Sequence, residues 1–129
     1  MDKNKALSIV GSSRSNGQRE LDDFYPSPLY AVEELLKRET FIGNIWECAC
    51  GEGDISKVFK SKGFDVISTD LIDRGYGKQL DFLQSDLVVD NIVTNPPYKL
   101  ALDFVLKAKK QGRKKIAMFL KTVWSESRS

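Results

Sequence analysis

Asn95, Pro96, Pro97 and Tyr98 stand in a row after the apolar run Val88-Val89-Asp90-Asn91-Ile92-Val93, and their types suit capture of a planar group that carries an NH2. Two consecutive prolines fix φ and donate no hydrogen bond, so such a loop holds one shape and keeps its carbonyl oxygens free to accept. The Asn95 side chain adds an amide oxygen as a second acceptor, and Tyr98 adds a flat face for an aromatic ring to stack on. Together they meet the needs of an exocyclic amine. The same tetrapeptide also serves as an ordinary strand-to-helix connector, so the chemical reading depends on what else the chain carries.

A second group, Glu47-Cys48-Ala49-Cys50-Gly51-Glu52-Gly53, follows Phe41-Ile42-Gly43-Asn44-Ile45-Trp46 and reads as a glycine turn between a strand and a helix. The dinucleotide fingerprint G-x-G-x-x-G would need glycine where Ser56 stands, which weakens a pyrophosphate-binding reading. Glu47 and Glu52 beside the backbone amides would repel a phosphate and suit a cationic ammonium or sulfonium. Asp70 ends the next β-rich run, Phe64-Asp65-Val66-Ile67-Ser68-Thr69. An acid at the tip of the second strand of a βαβ unit is placed to accept hydrogen bonds from ribose hydroxyls; taken alone, Asp70 reads as a surface turn residue. S-adenosylmethionine fits these requirements, with a ribose for Asp70 and a methionine tail for the turn.

With both motifs in order, the chain resembles the Rossmann-like S-adenosylmethionine-dependent methyltransferases, of the amino-methylating kind marked by Asn-Pro-Pro-Tyr. Glu47-x-x-x-Gly51-x-Gly53 resembles the family's cofactor loop, with Cys48 lining it, and Asp70, followed by Leu71, resembles its ribose-binding acid. Asp81-Phe82 resembles the pair that recognises the cofactor's adenine. Upstream, Asp23-Phe24-Tyr25-Pro26-Ser27-Pro28 is similar to the aromatic-Pro-Ser/Thr-Pro segment of phage-type adenine-N6 DNA methyltransferases, in which Tyr25 and Pro26 would help cover the methionine end.

The elements that would position these residues follow from periodicity. Residues 28–39 form a helix with Ser27 as N-cap, Pro28 at its first position and Leu29, Val32, Leu35 and Leu36 as apolar stripe. Residues 54–62 form another, with Asp54 or Ser56 near the first turn, Ile55, Val58 and Phe59 on one face and Gly63 as stop. A third spans residues 100–110 and ends at Gly112, before the buried strand Lys114-Lys115-Ile116-Ala117-Met118-Phe119-Leu120. Alternation of strand and helix predicts an α/β fold with a parallel sheet of about five strands. The resemblance makes this a three-layer sandwich without the family's usual last two strands. The edge of the fifth strand would then be covered by a partner chain or dimer, or the chain is a shortened form.

At 129 residues with 41% hydrophobic content the chain suffices for one compact domain. Residues 1–22 read as a flexible arm around the short apolar patch Ala6-Leu7-Ser8-Ile9-Val10, and residues 23–129 as the methyltransferase domain. No stretch is apolar enough to span a membrane and no signal pattern stands out, so the expectation is a cytoplasmic protein with no membrane partner. Histidine is absent, which removes triad hydrolysis and histidine acid–base chemistry. Cys48 and Cys50, one residue apart on opposite sides of a strand end, do not make a disulfide or zinc framework, and no metal is expected.

A net charge of +2 does not by itself announce a nucleic-acid binder. Lys107, Lys109, Lys110, Arg113, Lys114 and Lys115 form a local basic cluster, which reads either as a helix end favoured by the macrodipole or as a phosphate-contacting patch. The resemblance implies methyl transfer to an exocyclic amine of a nucleic-acid base, with adenine N6 in DNA first. Asn-Pro-Pro-Tyr is shared with protein glutamine-N5 methyltransferases, which gives a second reading. A non-catalytic remnant that binds the cofactor is the third.

Overall fold

The structure, a computed structural model, describes residues 6–12 and 29–121. Helix α1 (Leu29–Arg38) buries Val32 and Leu35, with Leu36 at the margin and Leu29 exposed, and Lys37 and Arg38 sit in its last turn where the helix dipole favours cations. Ser27 and Pro28, the expected cap and first residue, lie outside the described residues. Strand β2 (Ile45–Glu47) is shorter than the expected run from Phe41. Gly43 takes a φ of 101°, and a Cβ there would stand 2.1 Å from Asp90 Oδ2, so the chain turns at this close approach before it extends.

Helix α2 (Asp54–Ser61) turns Ile55, Val58 and Phe59 inward as the periodicity predicts, and Gly63 with a φ of 92° follows its end. Strand β3 (Val66–Asp70) comes next, followed by the two-residue strand β4 (Lys78–Gln79) and the 3-10 turn Phe82–Gln84. Strand β5 (Val89–Thr94) leads through the Asn-Pro-Pro loop into the 3-10 turn Tyr98–Leu100, which continues directly as α3 (Ala101–Gln111). Strand β6 (Gly112–Lys121) starts without a loop, since Gly112 is already extended.

All the strands run parallel, in the order β1-β6-β5-β2-β3-β4, with β1 spanning Ala6–Ser12. Among the described residues the five expected parallel strands are present, β2 to β6, and a sixth is added to them. The sixth is the apolar patch expected within a flexible arm: Ala6 pairs with Lys115 and Ser12 with Lys121. The β6 edge expected to need a partner chain is thus occupied by the protein's own β1. A solitary five-residue apolar patch looks like a loose arm in sequence because its backbone partner is remote; pairing satisfies the N–H and C=O groups that β1 and β6 turn toward each other.

The sheet carries a core on each face. On one face Ile45, Val93, Ala117 and Phe119 pack with Val32 and Leu35 of α1 and Ile55, Val58 and Phe59 of α2. On the other, the alternate residues Trp46, Ile92, Ile116 and Met118 pack with Phe104 and Ala108 of α3 and with Phe82. This is a three-layer α/β architecture, and strands covered on both sides explain runs without polar alternation.

Candidate functional site

Counted from β2, the strands β4-β3-β2-β5-β6 follow the order 3-2-1-4-5 of doubly wound sheets, so the order reverses between β2 and β5. From β2 the chain enters α2 on one face of the sheet, and from β5 it enters α3 on the other. A crevice opens at such a switch point beyond the carboxyl ends of the strands, and there open α/β sheets hold their ligands. Both sequence motifs emerge at it.

Hydrogen bonds tie the motifs together. The Ala49 N–H donates to Thr94 Oγ1 at 3.1 Å, joining the loop after β2 to the residue just before Asn95. The Gly51 N–H donates to Asp70 Oδ2 at 2.8 Å, and the Ile72 N–H donates to Asp70 Oδ1 at 2.9 Å. Trp46 Nε1 donates to Thr69 Oγ1 at 3.0 Å beneath them. Asp70 therefore clasps the glycine loop to the end of β3. It stays half-buried, and each oxygen keeps a lone pair for a further donor.

Glu47 does not stand as an open charge beside the loop amides. Its carboxyl is buried, and Oε1 accepts both the N–H and the Oγ–H of Ser56, whose Oγ also meets Ser68 Oγ at 2.7 Å. Burial pushes the carboxyl up to about 8, against the opposing Ser56 hydrogen bonds, so it does not supply a firm negative charge near neutrality. Ser56, the residue that breaks the dinucleotide fingerprint, thus anchors the start of α2 to β2. The helix has Gly53 in a left-handed conformation at its N-cap and no side-chain cap, so neither Asp54 nor Ser56 caps it. The negative groups left near the loop are Glu52, Asp54 and Asp70.

Cys48 and Cys50 are free thiols, both buried. Cys48 belongs to the core on the α3 face, and burial raises its thiol well above the usual range. The Cys50 Sγ–H donates to the Tyr76 carbonyl at 3.5 Å, and burial pushes that thiol up to about 12. Tyr76 escaped the sequence reading. Its ring lies over Gly53, where a Cβ would come within 2.7 Å of it, and Lys60 Nζ donates to its hydroxyl at 3.1 Å. Only a glycine with a φ of 91° admits that ring.

In the second loop Asn95 and Pro97 are half-buried, Pro96 is buried and Tyr98 is exposed at the start of its 3-10 turn. Leu71, directly after Asp70, is 54% exposed. Asp81 accepts from the Leu83 N–H and caps the turn that begins at Phe82. Phe82 itself is 1% exposed, with its ring against Trp46 at 5.1 Å and Phe104 at 4.9 Å. Tyr25 and Pro26 lie outside the described residues.

The basic cluster sits elsewhere. An 11-residue α3 carries the chain about 16 Å from the Asn-Pro-Pro-Tyr loop to the opposite ends of the strands, where β6 begins. There Arg113 pairs with Asp90 at 2.8 Å, and Lys115 donates to Glu39 at 3.0 Å and to the Thr40 carbonyl at 2.6 Å. The Asn44 N–H, with help from Arg113, holds the Asp90 carboxyl below its ordinary range. These two cations brace the fold.

Comparisons with family models, with curated proteins and with solved structures give no match for this chain.

Proposed function

We propose that this chain is an S-adenosylmethionine-dependent methyltransferase that acts on an exocyclic amino group of a nucleic-acid base, with adenine N6 in DNA as the first substrate to test. The observation that carries the reading is the convergence of three loops at one switch point: the glycine loop after β2, Asp70 after β3 and Asn95-Pro96-Pro97-Tyr98 after β5. Direct hydrogen bonds join the first to the second and to the threonine that precedes the third. A connector loop of no chemical purpose would not need that arrangement.

The residues are compatible with the cofactor. Asp70 has lone pairs for ribose hydroxyls, Leu71 offers exposed apolar surface beside it, and the carboxylates of Glu52, Asp54 and Asp70 suit a cationic tail. The Phe82 ring is closed into the core, so on this reading the Asp81-Phe82 pair would meet adenine through the Asp81 carboxylate and the main chain. When bound, S-adenosylmethionine supplies a methyl group made electrophilic by its sulfonium.

An exocyclic amine on a heteroaromatic ring is a poor nucleophile because its lone pair is delocalised. The Asn95 side-chain oxygen and the Pro96 carbonyl would accept its two N–H groups, hold the nitrogen nearer to tetrahedral and direct the lone pair outward. Orientation is then the main contribution of the protein. Tyr98 would stack on the base, which must leave its duplex stack to arrive. The glutamine-amide reading uses the same acceptors, and methyl label recovered in protein rather than in nucleic acid would select it.

Calorimetric titration with S-adenosylmethionine, paired with tritiated methyl transfer to DNA, tests the reading. Binding with transfer that Asn95→Ala abolishes at nearly unchanged cofactor affinity is the expected result. A folded chain that binds no cofactor overturns it.

A further inference from the structure

Helix α3 shows an exposed apolar row. Phe104, Ala108 and Gln111 face the sheet, while on the opposite side Leu102 is 70% and Leu106 is 52% exposed. Tyr98, 37% exposed, stands in the 3-10 turn just before the helix. Four-residue spacing keeps Leu102 and Leu106 in one row, which begins at the end of α3 next to the Asn-Pro-Pro-Tyr loop and leads away from it.

The charges beside the row are one-sided. Lys99, Lys107, Lys109 and Lys110 accompany it, against the single acid Asp103. Among the described residues Lys107, Lys109 and Lys110 form no salt bridge, unlike Arg113 and Lys115 beyond them. A second copy of this face would bring two cationic rows together, which disfavours self-association through it. An apolar ridge between lysines matches a polyanion whose flat apolar groups are unstacked.

We infer that the outer face of α3 is a track for single-stranded nucleic acid, on which the nucleotides flanking the target base lie against Leu102 and Leu106 while Lys107 and Lys110 meet their phosphates. The inference rests on the base-methylating reading for the identity of the polyanion. It adds a binding surface outside the crevice. Sequence-tolerant contact is the expected character of such a surface, since apolar packing and phosphate charge discriminate little between bases.

Fluorescence anisotropy with a short labelled single-stranded DNA tests the track, with the duplex of the same sequence alongside. The Leu102→Ser/Leu106→Ser protein should bind the single strand roughly tenfold more weakly. Lys107→Gln/Lys110→Gln should lower the slope of log affinity against log salt by about 1–2. Ile42→Ser, another exposed apolar residue far from the crevice, should bind as the parent does. Unchanged single-strand affinity in both double variants overturns the track, as does a parent protein that binds no single strand. A change of oligomeric state in the leucine variant with oligonucleotide affinity unaltered overturns it too and assigns the face to a second copy. Failure of the methyltransferase reading has a separate signature: no methyl transfer by the parent protein to any strand that it binds.

Discussion

Thr94 accepts the main-chain N–H of Ala49 at 3.1 Å, so the residue that precedes Asn95 is fastened directly to the loop that precedes Gly51. Thr94 is buried, and its hydroxyl also serves the Cys48 thiol. Replacing Thr94 by the isosteric valine leaves the half-buried Ala49 N–H without this acceptor, a loss of about 1 kcal/mol. Urea unfolding should register that loss, and Thr94→Ser should recover most of it. A Thr94→Val protein as stable as the parent would show that this bond contributes nothing to stability.

Asp70 makes two backbone bonds with two different oxygens, and asparagine can replace only one of them as an acceptor. Asp70→Asn should therefore weaken cofactor binding, and Asp70→Ala should weaken it further, with transfer at saturating cofactor less affected. Calorimetric affinities equal to the parent's in both variants would remove Asp70 from the ribose role.

Glu47 predicts a pH dependence of stability with a definite sign. Its carboxyl titrates near 8 in the fold against an ordinary 4.5, so between those values the unfolded chain has released a proton that the native state still holds. Raising the pH then favours unfolding: the contribution is complete below 4.5 and is lost by 8, on the order of a few kcal/mol. Glu47→Gln keeps an oxygen for Ser56 and should flatten the curve of melting temperature against pH across that window. A parent curve already flat there would show that burial does not hold the proton.

Gly53 and Tyr76 should be coupled. A Cβ at Gly53 meets both an unfavourable φ and the Tyr76 ring, so Gly53→Ala should cost about 1–2 kcal/mol from the backbone alone and more from displacing the ring. In a Tyr76→Ala background the second part disappears. A double-mutant cycle should give a coupling of at least about 0.5 kcal/mol, whereas strict additivity would mean that the ring moves aside freely.

Helix faces were legible in the sequence because the 3.6-residue period is local: Ile55, Val58 and Phe59, or Phe104 and Ala108, reveal their side within one or two turns. The two loop motifs were legible because glycine and proline fix the backbone on their own. Interactions decided by distant residues were not legible. Glu47 reads as a charge beside the loop amides until Ser56 is folded onto it, and Tyr76 gives no local sign that it will cover Gly53. Thr94 and Ser56 left fainter traces, one abutting Asn95 and the other standing where a dinucleotide loop has glycine.

The pairing of β1 with β6 also sets an order of events during folding. Ala6 and its partner Lys115 stand more than a hundred residues apart in the chain. Closing a loop that long carries the largest entropic cost of any strand pairing in the sheet, so β1 docks late, after β2, β3 and β5 have assembled around α2. Until then β6 presents an open apolar edge, and that interval is when the folding protein is most exposed to aggregation and most in need of a chaperone.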